Sequence, residues 1–389
     1  MIRILRYFKH LAVTVLALLV VAVIVGLNIG AAVHYTDDPT GLPLNLEGPH
    51  VFFKNDSTLD INYIMGNKED GFYLDQQKHS IKTAIKATCF FPLDSSSFEF
   101  TISAGFEIPA TVYDDDSPIL AISDIEGGYR TFRDFLIHSN VIDKELSWTF
   151  GKGHLVLLGD FVDRGWSVTQ VLWFIYKLEQ DAAKHGGTVH FILGNHELKN
   201  MQGHHQATAD RYYAAAAVLG KHVDNLYDSN SFIGRWMASK NTVEKINGNL
   251  FVHGGLHPDL TKSDFSLEKI NEIIRNHYDH FYLSEPGESA EQLILSNTTG
   301  VAWYRGYFKE DLKQDQINQT LDHFGARRVI VGHTLQSEIT SLFEGKVIGI
   351  DVKHPKDYQK YWPFHESEGL LISGDHVYRV LHDGSKELL

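Results

Sequence analysis

Five short apolar runs in the middle and later parts of the chain each end in side chains that carry chemistry. Ile119-Leu120-Ala121-Ile122 leads into Ser123-Asp124-Ile125-Glu126-Gly127-Gly128, and Leu155-Val156-Leu157-Leu158 leads into Gly159-Asp160-Phe161-Val162-Asp163-Arg164-Gly165. Val189 to Leu193 ends in Gly194-Asn195-His196-Glu197, Leu250-Phe251-Val252 in His253-Gly254-Gly255, and Val329-Ile330-Val331 in Gly332-His333-Thr334. Continuous apolar runs of this length predict buried strands. Helical spacing fills the gaps between them. Ser167 reads as the N-cap of a helix carrying Val171, Leu172, Ile175 and Leu178 that stops near Gly186-Gly187. Leu267, Ile270, Ile273 and Ile274 share one helical face, as do Leu312, Ile317, Leu321 and Phe324. Residues 346–350 and 369–373 read as antiparallel strands with turns at Glu344-Gly345 and Gly374-Asp375. The pattern predicts an α/β (α+β layered) domain over residues 117–389: two packed β-sheets flanked by helices.

The first third has a different texture. Leu11 to Val33 contains no charged side chain, and as a helix it would span about 34 Å against a bilayer core of roughly 30 Å. Arg3, Arg6 and Lys9 precede it and Asp37 and Asp38 follow. This predicts a single-pass signal anchor over residues 1–34, with a cytoplasmic N-terminus and the catalytic part on the outer, periplasmic or extracellular side. Gly30-Ala31-Ala32 offers the alternative, a cleaved signal peptide and a secreted protein, although such apolar cores usually run only about 7–15 residues. Residues 35–116 carry short runs at 50–53 and 59–64 and the alternating Phe98-Glu99-Phe100-Thr101-Ile102. They read as a β-rich accessory region without a catalytic motif, and Asp114-Asp115-Asp116 reads as a solvated linker.

Charge narrows the function. The formal net charge of −14 gives nucleic acid no complementary surface, so no nucleic-acid partner is expected. One cysteine, Cys89, excludes an intrachain disulfide and reads as core. What the strand ends offer instead is a ligand set for two divalent cations. A two-metal phosphoesterase site needs cations about 3.5–4 Å apart, a bridging carboxylate and mainly oxygen ligands completed by imidazole. Asp124 and Glu126 can serve one cation, Asp160 can bridge, and Asn195, His253 and His333 can serve the other or divide between the two. His196 is free to donate a proton to a leaving group near neutral pH, with Asp163 as its carboxylate partner. Arg164, and Arg305 within Trp303-Tyr304-Arg305-Gly306-Tyr307, can grip phosphate oxygens. His190 reads as a core residue, His204-His205 as solvated surface, and Asp351 equally as a turn residue or a support to the site.

Three of these motifs, Gly159 to Gly165, Gly194 to Glu197 and His253 to Gly255, with Gly332-His333 in support, resemble the calcineurin-like metallophosphoesterases and within them the phosphoprotein phosphatase branch. The Trp303 to Phe308 run is similar to the bacterial-type, Shewanella-like phosphatases, and the resemblance spans about residues 117–355. It implies a metallo-dependent phosphatase fold and hydrolysis of phosphomonoesters, serine/threonine phosphatase-like, by a hydroxide shared between two metal ions. Manganese is the first expectation, with iron, zinc or magnesium as alternatives. It further implies Asp124, Asp160, Asn195, His253 and His333 as ligands, His196 and Asp163 as the acid pair, and Arg164 and Arg305 as phosphate donors. The family usually has Asp-x-His where this chain has Asp124-Ile125-Glu126; a glutamate there either ligates through oxygen or points away. The substrate would be a phosphorylated protein or small molecule. A nucleotide or dinucleotide phosphate hydrolase is the alternative, and a membrane-tethered binding protein with a decayed site is the second. Nothing in the sequence reads out an oligomeric state.

Overall fold

The computed structural model describes residues 2–28, 33–34, 44–287, 289–309, 312–358 and 360–389. Two six-stranded sheets form its centre. In the first, Thr188–Ile192, His154–Leu158 and Ile119–Ile122 run parallel, and Gly369–Ser373, His376–Val380 and Lys386–Leu388 continue it antiparallel. In the second, Thr340–Leu342, Val347–Gly349, Arg328–Val331, Asn249–Val252, Val243–Ile246 and Val112–Tyr113 lie side by side with mixed directions. The five sequence-predicted strands that end in chemistry are all present, within a residue or two of the expected bounds.

Their uninterrupted apolar character follows from being covered on both faces. Ile119, Ala121, Val156, Leu158 and Ile192 face Ile246, Phe251, Ile330 and Ile348 between the sheets. The alternate residues Leu120, Ile122, Leu155 and Leu157 face helices on the outside. The predicted helix is Val168–Lys184, with Ser167 at its N-cap position but without a cap bond from its hydroxyl. Leu267–Arg275 buries Leu267, Ile270, Ile273 and Ile274 as its spacing requires, and the Ser266 hydroxyl accepts from Lys269 N.

Residues 47–102 form an antiparallel meander, Glu47–Asn55, Thr58–Asn67 and Gly71–Ser80, and a hairpin, Ile85–Phe91 with Ser96–Ile102. Both pack onto helix Val168–Lys184: Phe100 stacks on Trp173 at 4.7 Å, Phe98 meets Phe174 at 5.4 Å, and Trp173 Nε1 donates to Pro49 O at 2.8 Å. Their buried residues belong to one continuous apolar cluster with the catalytic core. Cys89 lies fully buried in it. At the start of the first of these strands, Glu47 is buried, accepting from the Arg211 guanidinium, Thr169 Oγ1 and Gln170 Nε2.

The acidic triplet is exposed, as expected of a linker, yet it is tethered. Asp115 Oδ1 lies 2.9 Å from His154 Nε2, and the backbone N–H groups of Asp115 and Asp116 donate to Asn247 Oδ1. Behind His154, His190 is buried between His154 Nδ1 at 2.8 Å and Glu244 Oε2 at 2.6 Å, the core role its sequence context predicts. At the N-terminus, Ile4–Gly26 within helix Ile2–Asn28 has a mean hydropathy of 2.5 and none of it is buried. It is long and apolar enough to cross a membrane, a property that signal sequences share. The expected cleavage residues Gly30-Ala31-Ala32 and the acidic flank Asp37 and Asp38 lie outside the described residues.

Candidate active site

The site lies where the parallel strands of both sheets end, the location that open α/β sheets give to ligands. The loops that turn out of these strands are sharp. Asp124, Glu126, Asp160, Asp163, Arg164 and His333 all take positive φ, between 50° and 67°. Side chains other than glycine rarely hold that region, and they do so mainly where the surroundings impose it at functional sites. Gly159 shows how tight the arrangement is: at φ 80° a Cβ would come within 2.6 Å of Gly194 Cα and His253 Nδ1. Glu197 supplies much of the constraint. Its buried carboxylate accepts from Asp160 N at 2.9 Å, Phe161 N at 2.8 Å, Val162 N at 3.2 Å and Gly194 N at 2.8 Å. One side chain thus closes two of the motif loops onto each other.

Four acceptor atoms converge inside. Asp160, His253 and His333 are close enough to share one cation. Asn195 Oδ1 lies 3.2 Å from Asp160 Oδ2, 3.0 Å from His333 Nδ1 and 3.2 Å from His253 Nε2. Hydrogen bonding among these neighbours alone favours the opposite amide orientation, with nitrogen donating inward and oxygen accepting from Lys199 Nζ at 3.0 Å. A cation at the focus of the four atoms would favour the oxygen-inward orientation, and the mix of carboxylate, amide oxygen and imidazole fits a divalent metal. The His253 ring is oriented by its Nδ1–H, which donates to Leu158 O at 2.7 Å and leaves Nε2 toward Asp160 Oδ1 at 3.2 Å.

The electrostatics agree. Burial works against an imidazolium, yet Asp160 and Asp124 push His253 up to about 10. Burial, with Asp160 adding to it, pushes Asp124 up to about 6. The Asp160 carboxyl, against its own burial, is drawn well below the usual range by His253 and His196. Two buried carboxylates beside one imidazole account for these opposed shifts, and a divalent cation bound among them would favour their ionised forms. Asp124 sits beside this group, its Oδ2 accepting from His333 N at 3.2 Å.

His196 and Asp163, expected from the sequence to pair, are in contact. His196 Nδ1 lies 2.7 Å from Asp163 Oδ2, and His196 N donates to Asp160 Oδ1 at 2.9 Å. Sequence reading missed its supports. Thr208 Oγ1 donates to Asp163 Oδ1 at 2.8 Å, Asn200 Nδ2 donates to His196 O at 2.9 Å, and Asn200 Oδ1 lies 2.9 Å from His205 Nδ1. His205, expected on the solvated surface with His204, is buried, because the loop after helix Asn195–Met201 folds back under the site. No local periodicity marks that return.

Arg164 and Arg305, the side chains expected to grip phosphate, line an open pocket of about 360 Å³ with Asp124, Asp160, Asn195, His196 and His333. Arg164 Nη2 lies 3.1 Å from His196 Nε2, and Arg305 donates to His333 O and Thr334 Oγ1. Lys199, Lys353 and Lys356 join the wall, as does Asp351, whose carboxyl is pushed far up by burial and by Asp124. The structure does not bring Glu126 to the converging donors. Its Oε1 pairs with Arg164 Nη1, and its Oε2 lies 3.7 Å from Lys356 Nζ. Arg164 and Lys356 on the rim are the cationic side chains it meets there.

A double-sheet fold with a pocket that fits a divalent metal at its strand ends and an Asp–His pair beside it defines a metallophosphatase. A family model described as calcineurin-like phosphoesterase matches residues 117–337, and the chain belongs to that family. Its relatives include Shewanella-like protein phosphatase 2 of Arabidopsis thaliana, 26% identical over 311 residues, 68% of this chain and 76% of that protein. Shewanella-like protein phosphatase 1 of Plasmodium berghei is 29% identical over 233 residues, 56% of this chain and 61% of that protein. Among solved structures, the cold-active protein-tyrosine phosphatase of a psychrophilic Shewanella species superposes with a TM-score of 0.76 at 30% identity, covering 88% of this chain and 99% of that one. Residues 117–389 alone cannot supply that share. The likeness therefore extends into the N-terminal third, which the sequence motifs had left outside it. The protein is a hydrolase acting on phosphoric esters, its substrates are phosphorylated, and its family employs divalent metals.

Proposed function

We propose that this chain removes phosphate from phosphorylated side chains of proteins, phosphotyrosine included, and that it does so outside the cytoplasm, tethered by helix Ile2–Asn28. The observation that carries the catalytic reading is the pairing of His196 with Asp163 at 2.7 Å beside four converging acceptor atoms. Asp160, Asn195, His253 and His333 would hold one divalent cation, and Asp124 with the shared Asp160 a second. Three oxygen-bearing residues against two imidazoles favour manganese. When bound, the cations supply Lewis-acid charge to the phosphate and a water ionised near neutral pH.

The remaining steps belong to the chain itself. Arg164 and Arg305 hold the non-bridging phosphate oxygens by paired N–H donors, fixing the phosphorus above the acidic floor. His196 carries a proton on Nε2 toward the leaving oxygen, and Asp163 keeps the ring in that orientation by accepting from Nδ1–H. Thr208 and Asn200 prevent the pair from turning. The open pocket and the exposed Leu335 at its edge support a substrate whose phosphate enters at the end of a side chain. The name of the Shewanella relative supports including phosphotyrosine. The positive residues Arg3, Arg6 and Lys9 before the apolar helix support a cytoplasmic N-terminus.

The test is an assay of the purified full-length chain in detergent with manganese, across phosphotyrosyl, phosphoseryl and phosphothreonyl peptides, nucleotides and sugar phosphates. Asp160→Asn serves as the control. Preference for a nucleotide would replace the protein-phosphatase reading. Absence of turnover on every substrate with every metal, in a folded chain, would replace it with a binding role.

A further inference from the structure

The carboxylate of Glu126 stands where the family's motif has an imidazole, yet it bridges two cationic side chains at the pocket rim. Oε1 pairs with Arg164 Nη1 and Oε2 lies 3.7 Å from Lys356 Nζ, while the other end of the guanidinium, Nη2, lies 3.1 Å from His196 Nε2. Arg164 thus joins Glu126 to the ring nitrogen of the proposed acid. The Glu126 side chain is about one-fifth exposed and that of Arg164 a little under half, at 19% and 45%. The pair is therefore shielded enough to hold its geometry yet open to an incoming phosphate. Without the glutamate charge, Arg164 and Lys356 repel each other across the same space.

We propose that Glu126 is a positioning residue for phosphate recognition and not a metal ligand. It fixes Arg164 over His196 and keeps Lys356 on the same side of the entrance, so that a phosphate meets both cations at once. A second consequence follows from the same geometry. With Glu126 turned to the rim, Asp124 and the shared Asp160 are the protein donors on one side, against Asp160, Asn195, His253 and His333 on the other. The two cation positions therefore differ in affinity, the one at Asp124 being the weaker. This inference rests on the phosphatase reading above for its substrate and on the side-chain geometry for its ligand count.

The experiment compares the full-length protein in detergent with E126Q, E126D and E126H. Manganese bound per chain is counted by elemental mass spectrometry after dialysis against graded free manganese. Inorganic phosphate affinity is measured by calorimetry, and KM and kcat with p-nitrophenyl phosphate. Wild type and E126Q are expected to follow the same two-step manganese curve. E126Q should weaken phosphate binding and raise KM by about tenfold, the scale of one charge-assisted contact, with a smaller change in kcat. E126D, which keeps the charge on a shorter arm, should recover part of that loss. E126H should tighten the weaker manganese step by about tenfold or more. A manganese step lost in E126Q with phosphate affinity intact would make Glu126 a ligand and overturn the proposal. So would a variant with unchanged manganese curve, phosphate affinity and KM. Manganese uptake and phosphate affinity are read without turnover. A chain that binds both and hydrolyses nothing would defeat the phosphatase reading while leaving the role of Glu126 standing.

Discussion

Asp163 holds His196 from below: Oδ2 lies 2.7 Å from His196 Nδ1, while Oδ1 accepts from Thr208 Oγ1 at 2.8 Å. Both residues of the pair are buried, so both carboxylate oxygens are engaged and the other ring nitrogen faces the pocket, 3.1 Å from Arg164 Nη2. The ring of the proposed acid is thereby fixed in one direction.

That arrangement predicts a dependence on the leaving group. His196→Asn should slow hydrolysis of a phosphoseryl peptide by about 10²–10⁴-fold, the range of a general acid. Its effect on p-nitrophenyl phosphate should be much smaller, because nitrophenolate departs without a proton. Asp163→Asn should follow the same trend to a lesser degree. Steady-state kcat on both substrates checks this, and an equal loss on both would remove His196 from the acid role.

Metal binding should appear as stability. Manganese at about 100 times its dissociation constant adds about 2.7 kcal/mol to the folded state if it binds that state alone. Thermal melts with and without chelator should show the difference in the wild type, together with loss and recovery of activity. In Asp160→Asn the manganese-dependent rise and the activity should both be lost. A variant that keeps near-full activity would show that Asp160 does not hold the metals.

Glu197→Gln removes the charge that four backbone N–H groups from two loops converge on. Burial pushes this carboxyl up and Asp160 adds to the effect, so the glutamate sits at a cost that those donors offset only in part. The substitution should destabilise the fold by about 2–3 kcal/mol and weaken manganese uptake, since Asp160 and Asn195 lie on the loops it joins. Denaturant midpoints and metal content are the two readouts.

Acid should unfold the N-terminal sheet's attachment early. The Glu47 carboxyl is lowered from 4.5: burial opposes its charge, but Arg211, His50 and the Thr169 hydroxyl outweigh it. His50 is lowered from 6.5 by burial, partly offset by Glu47. A depressed carboxyl stabilises above its unfolded value and loses that contribution as pH falls through the folded one. A depressed histidine binds fewer protons folded than unfolded below 6.5, so it too loses stability on acidification. The melting temperature should therefore fall from about pH 6.5 downward, and more steeply below about 4.5. Glu47→Gln, which strands Arg211, should lower stability at neutral pH by about 3–5 kcal/mol and flatten the branch below 4.5.

The exposed apolar helix predicts fractionation. The full-length chain should sediment with membranes and need detergent for release, whereas a chain beginning at residue 44 should stay in the soluble fraction with manganese-dependent activity within about twofold of the full-length value. A full-length chain recovered from the soluble fraction, shortened at its N-terminus, would favour signal cleavage.

Much of the site was legible in the chain because its parts are local. A buried strand between two covered faces has to be apolar throughout, and the turn at its end has to carry glycine or a residue able to hold positive φ. Asp124, Asp160, Asn195, His196, His253 and His333 could therefore be placed at strand ends from pattern alone. The structure then brings their loops to one pocket. The N-terminal strands were also legible, but their attachment was not, since Phe98 and Phe100 look like any half-buried strand until Phe174 and Trp173 are placed against them.

By itself the sequence determined the order of strands and helices, the motif at each strand end, the apolar N-terminal segment and the lone core cysteine. Each of these depends on neighbours within a few positions. Only the tertiary structure decided that Glu126 turns to Arg164 and Lys356, that Glu197 closes two loops, and that His205 is buried. It alone also joins residues 47–102 to the catalytic core. Those outcomes depend on which distant segments meet and on the balance of charge where they do. A carboxylate that meets two cationic side chains pairs with them, and no reading of its immediate neighbours reveals that they are there.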